Sequence, residues 1–143
     1  MNAARALVAA AAILAAQQAL PVTQSARQGA GADAASLQRG EQVYTRCAAC
    51  HAVETNRTGP QHCGLFGRRA GTAPGYDTYS RAMRNSKIVW DEHSLDVFLQ
   101  APTQAVPGTA MGYAGVKDAQ QRADLIAWLR VATQPGKTCR IAK

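Results

Sequence analysis

At 143 residues, 47% hydrophobic but only 6% aromatic, the chain has room for one modest domain and little bulky apolar material to fill it. Its formal charge of +7 at pH 7 suits an acidic partner. The cations are scattered and no known nucleic-acid-binding motif is visible, which argues against nucleic acid as that partner.

In chain order, the first segment reads as an address. A single cation at Arg5 precedes an uncharged run over 6–16 (ALVAAAAILAA), and the small, polar QQALPVTQSA follows. This is the layout of a secretory signal peptide over 1–26, and the run is short for a bilayer span. An uncleaved N-terminal anchor is the competing reading, and Ala19, Ser25 and Ala26 are all acceptable last residues before cleavage. A flexible leader over 27–35 then precedes a folded domain over 36–143. Export implies a periplasmic location, where cysteine pairs persist as disulfides.

The spacing predicts a helix from about Ala34 to the CAACH that begins at Cys47, capped by Asp33, with Leu37, Gly40, Val43 and Tyr44 on one side. A short helix is expected near residues 80–85. Another begins near Asp91 and carries Leu95, Phe98 and Leu99 on one face. The clearest runs from Asp118, whose pairing with Gln121 resembles a capping arrangement, through Leu125, Ile126, Trp128 and Leu129 to the Pro135-Gly136 stop. No stretch alternates strongly enough for a strand. Between the helices lie TGPQHCG, GTAPGY and APTQAVPGTAMG, loops dense in breakers that something other than repetitive backbone bonding must order.

Residues 47–51, CAACH, carry the chemistry. A dithiol of the thioredoxin kind belongs at a helix N-terminus after a strand, and here the pair follows a helix. A zinc site would recruit Cys47, Cys50, His51 and either His62 or Cys63, but adjacent Cys50 and His51 are awkward on one tetrahedral ion. Covalent haem attachment explains the spacing best. Two thioethers reach two vinyl groups, and His51 rises beneath the iron as one axial ligand. A neutral imidazole needs an acceptor for its second nitrogen, which a carbonyl of Thr58-Gly59-Pro60 would provide.

A second axial ligand must come from elsewhere. Of the three methionines, Met1 lies in the signal segment and Met83 in a polar stretch where it reads as a core filler. Met111 sits in VPGTAMGY, turned inward by Pro107 and Gly108, and is the preferred ligand. His62 and His93 are the rivals.

The ordered set GEQVYTRCAACH, TGP, GLFGRRAG, GYDTYSRAM, IVW, LDVFLQAP, VPGTAMGYAG and RADLIAWL closely resembles the small class I cytochromes c of the mitochondrial and photosynthetic-bacterial kind, over roughly residues 40–131. That resemblance implies an all-α fold of three main helices around one covalently bound haem c, with Gly40 at the crossing of the first and last helices. It implies that Pro60 offers its carbonyl to His51, that Arg68, Tyr79 and Trp90 hold the haem propionates, and that Thr109 hydrogen-bonds internally. Three departures stand out. Phe98 replaces a tyrosine common near the methionine sulfur, Ala110 replaces a lysine, and His62 occupies a position usually held by leucine against the proximal haem face.

The resemblance implies a monomeric one-electron carrier between larger redox proteins, with no enzymatic turnover and with acidic docking surfaces on its partners. The alternative is a haem enzyme or sensor, reducing peroxide or binding a gas where a labile Met111 has left the iron. In the implied fold, the end of the last helix returns to the loop after His51, which makes a disulfide between Cys63 and Cys139 plausible.

Overall fold

The computed structural model describes residues 32–136 and 139, so the expected signal segment and most of the expected leader lie outside the described residues. The described chain contains α1 (Ala34–Tyr44), α2 (Arg81–Asn85), α3 (Glu92–Gln100), α4 (Pro102–Ala105) and α5 (Ala119–Ala132). Among the described residues there is no sheet, only one isolated antiparallel bridge between Arg69 and Val89. The fold is all-α.

Local chemistry explains where each helix starts. The Asp33 carboxylate accepts from the Ser36 amide at 2.7 Å, so α1 begins at Ala34, inside the last two residues assigned to the leader. Asp91 and Ser94 cap each other reciprocally at the head of α3, and Asp118 accepts from the Gln121 amide at 2.7 Å at the head of α5. The Ser80 hydroxyl accepts from the Met83 amide to start α2. The sequence gives no periodic signal for α4, which forms where Pro102 at its first position presets the helical backbone.

The first helix stops earlier than its pattern suggests. Regular structure ends at Tyr44, where the Thr45 hydroxyl bonds back to the Gln42 carbonyl. CAACH therefore rides on successive turns: Cys47 N–H donates to Tyr44 O at 2.8 Å, and His51 N–H to Cys47 O at 2.9 Å. One helical turn is kept across the motif, enough to set the thiols and the imidazole on neighbouring directions.

The crossing of α1 and α5 is the main tertiary joint. A Cβ at Gly40 would drive into the Asp124 carbonyl and lie 2.7 Å from the Trp128 Cβ, so glycine is what lets the backbones touch. Around that contact, Arg39 holds Asp124 through two bonds of 2.7 and 3.1 Å, and the Tyr44 ring lies against Trp128 at 4.4 Å. Leu125 is fully buried beside them. Buried Arg122 bonds Asp96 of α3 and the carbonyls of Val116 and Lys117, fastening α3 and the end of the following loop to α5. Cys63 and Cys139 are joined as a disulfide with Cα atoms 5.4 Å apart, and Gly64 N–H donates to Thr133 O at 2.7 Å. The end of α5 thus sits on the loop that follows His51.

Candidate cofactor site

A cavity of about 560 Å³ runs into the interior between these elements. Its walls carry Cys47, Cys50, His51, Pro60, Arg68, Tyr79, Trp90, Phe98, Thr109 and Met111, together with His62 and Met83. The fold therefore gathers onto one cavity the residues that the sequence singled out between positions 47 and 111, except Cys63, His93 and, further along, Cys139. His93 is exposed on α3 and is not among the lining residues.

On one side the turn after α1 delivers the thiols and His51. Cys47 is half-buried, Cys50 is exposed, and neither takes part in the disulfide. The Nδ1 of His51 lies 2.8 Å from the Pro60 carbonyl. A carbonyl only accepts, so Nδ1 carries the proton and Nε2 keeps a free lone pair. Burial also pushes His51 down, against the Pro60 bond, which favours the neutral ring that a metal needs. Gly59 is the residue that sequence reasoning missed here. A Cβ on it would come within 2.8 Å of both ring nitrogens of His51, so only glycine permits this backbone to cradle the imidazole. Its place directly before Pro60 was the available signal.

His62 stacks on His51, with ring centroids 4.5 Å apart and planes 22° apart, and its Nδ1 lies 3.2 Å from the Tyr44 hydroxyl. Burial, with help from the His51 and Arg68 charges, pushes its pKa down to about 3. It lies beside His51 rather than across the cavity from it.

A second wall is built by the short pairing of residues 67–70 with 88–90. Gly67 N–H donates to Trp90 O, Trp90 N–H to Arg68 O, and Ala70 N–H to Ile88 O, all within 3.0 Å. This pairing sets Arg68 and buried Trp90 side by side on the cavity. Arg68 donates to the carbonyls of Cys63 at 2.6 Å and Gln61 at 3.0 Å, which leaves further N–H groups for a carboxylate. The Tyr79 hydroxyl accepts from the Ala73 amide at 3.2 Å and keeps its own proton to donate.

The far wall is apolar. Phe98 packs on Trp90 with centroids 5.1 Å apart, Met83 is buried, and Met111 is half-buried in the loop after α4. The Thr109 hydroxyl accepts from the Met111 amide at 3.3 Å.

Two thiols, a histidine with a free Nε2, polar donors on one wall and an apolar remainder fit a flat, mostly apolar macrocycle with two carboxylates. The zinc alternative finds no group of three or more His, Cys, Asp or Glu suited to a metal ion among the described residues. Residues 37–133 match the family model described as Cytochrome c. The chain belongs to the cytochrome c family. It is similar to cytochrome c of Sesamum indicum, 45% identical over 101 residues that cover 68% of this chain and 90% of that one. Cytochrome c2 of Rhodomicrobium vannielii is 45% identical over 102 residues, covering 69% and 79%. Among solved structures, cytochrome cH from Methylobacterium extorquens superimposes with a TM-score of 0.64 at 39% identity, covering 70% of this chain and 99% of that one. As a member of the family, the chain binds one covalently attached haem c and acts as a monohaem electron carrier between redox proteins. No helix among the described residues is long and apolar enough to cross a membrane.

Proposed function

We propose that this cytochrome is an exported, periplasmic carrier whose iron is held by His51 and Met111, and that it turns over no substrate. The observation that carries the reading is that Met111, on the loop after α4, lines the same cavity as His51, on the turn after α1. Bound through Cys47 and Cys50, the haem supplies a one-electron ferrous/ferric couple. His51 is oriented by the Pro60 carbonyl. The Met111 thioether, a soft neutral donor, favours the ferrous state relative to a second imidazole. Arg68, Tyr79 and Trp90 hold the two propionates, because carboxylates drawn into a low-dielectric wall need strong donors. Thr109 steadies the backbone of the ligand residue. With both axial positions filled by protein, little need rearrange when an electron arrives or leaves.

The +7 chain suits acidic docking surfaces on its donor and acceptor, and the carrier acts as a monomer. The visible spectrum of purified ferric protein tests the assignment. A weak far-red sulfur-to-iron band at neutral pH, with no carbon monoxide binding by the ferrous form without denaturant, is the expected result. A high-spin spectrum with rapid carbon monoxide binding would instead make the chain a haem enzyme or sensor with an open iron.

A further inference from the structure

We infer that His62 is a positioning residue for the proximal ligand: its ring, laid flat on His51, fixes the plane in which that imidazole meets the iron. The inference rests on the assignment of His51 to the iron. A single hydrogen bond from Nδ1 to the Pro60 carbonyl, 2.8 Å long, sets one axis of the His51 ring but leaves rotation about that axis weakly opposed. Gly59 crowds the ring without supplying a flat surface. The His62 ring supplies one, at 4.5 Å between centroids and 22° between planes.

His62 can act as a template because it is itself held at both ends. Its backbone N–H donates to the carbonyls of Ala52 and Val53, both at 3.1 Å, which ties it to the segment leaving His51. Its Nδ1 meets the Tyr44 hydroxyl at 3.2 Å, and the Tyr44 ring is backed by Trp128 of α5 at 4.4 Å. The orientation of the proximal imidazole is thereby keyed to the α1/α5 crossing. A leucine of similar bulk would fill the space but would impose no plane.

The orientation of an axial imidazole sets how the iron d orbitals split. It is read from the g-values of the ferric protein and from the spread of its four haem-methyl proton resonances. Three variants of the holoprotein separate the contributions: His62→Leu removes the flat surface, His62→Phe keeps it without the hydrogen bond, and Tyr44→Phe removes the anchor alone. His62→Leu should stay low-spin yet redistribute the haem-methyl shifts and change the g-values. His62→Phe and Tyr44→Phe, which both keep a flat ring but lose the same hydrogen bond, should each move the pattern in the direction of His62→Leu by less. Should His62→Leu load haem poorly, His62→Ala, which also removes the flat surface, carries the same contrast with His62→Phe. Parent-like shifts in both His62→Leu and Tyr44→Phe overturn the inference, as do His62→Phe shifts that match His62→Leu. Loss of the low-spin state in both His62 variants would make His62 itself the ligand and overturn the reading of His51 as well. A ferric parent that is not low-spin would overturn the ligand assignment alone, before any variant is made.

Discussion

The two sides of the cavity are built differently. On the His51 side, nearly every segment is cross-tied. Gly59 N–H donates to Cys50 O at 2.7 Å, the Tyr76 hydroxyl to Thr58 O at 2.5 Å, and Asn56 and Gln61 both donate to Pro74 O. Arg68 and the Cys63–Cys139 disulfide close the same region from behind. On the Met111 side, the loop is fastened at its ends, by Thr109 N–H to Val106 O and Val116 N–H to Leu99 O, and Met111 itself makes the 3.3 Å bond to Thr109. Phe98, which lines the same cavity, has no polar group to offer the sulfur. Local stability follows such bonding, so the proximal half should hold one geometry while the distal loop is the first part to open.

The largest expected effect is on the distal side. Met111→Ala should leave the haem covalently attached and the proximal half folded, abolish the far-red band and lower the midpoint potential on the order of 100 mV. A spectrum and potential matching the parent would move the sixth ligand elsewhere. On the proximal side, Cys139→Ser opens a disulfide that spans 76 positions, for which chain entropy suggests about 2–4 kcal/mol of lost stability, less because the haem constrains part of the same span. Denaturant midpoints should fall, while the far-red band in native buffer should stay unchanged. Mass spectrometry of the intact, non-reduced parent holoprotein should find no alkylatable thiol, and of Cys139→Ser one, at Cys63.

Gly59→Ala pushes a methyl into the His51 ring and should cost about 1–3 kcal/mol by overpacking. Its signature is a perturbed proximal ligand with the Met111 band retained, which sets it apart from Met111→Ala. The smallest effect belongs to the helix crossing. Arg39, with help from Gln120, holds the Asp124 carboxyl below the usual carboxylate range. A depressed folded-state pKa means this contribution is full above about pH 4 and fades as pH falls through the folded value. Asp124→Asn should therefore cost about 0.5–1 kcal/mol at neutral pH, a figure kept low by the exposure of Arg39, and the gap to the parent should close in acid.

Much of this was legible in the residues. Apolar spacing, with caps at Asp33 and Asp118 and a start near Asp91, located α1, α3 and α5, because those signals are local. The helix α4 was not, since Pro102 marks a helix start and a loop breaker with equal force. The end of α1 at Tyr44 was hidden for a related reason: CAACH retains helical bonding after regular helix has ceased. The residues that line the cavity were singled out by motif, and so was the Pro60 carbonyl that meets His51, yet the other restraints on that ring were not. That Gly59 must be glycine, and that Tyr44 reaches His62, depend on how α1 folds back over the 59–63 loop, a distance no spacing rule encodes.

One denaturant titration of the ferric holoprotein tests the contrast most directly, following the far-red band together with tryptophan fluorescence from Trp90 and Trp128, which haem quenches while the fold is intact. The account predicts that the band disappears at clearly lower denaturant than the fluorescence rises, because Met111 leaves while the His51 side is still folded. A band that persists until both signals change together, or a native protein without the band, would contradict it.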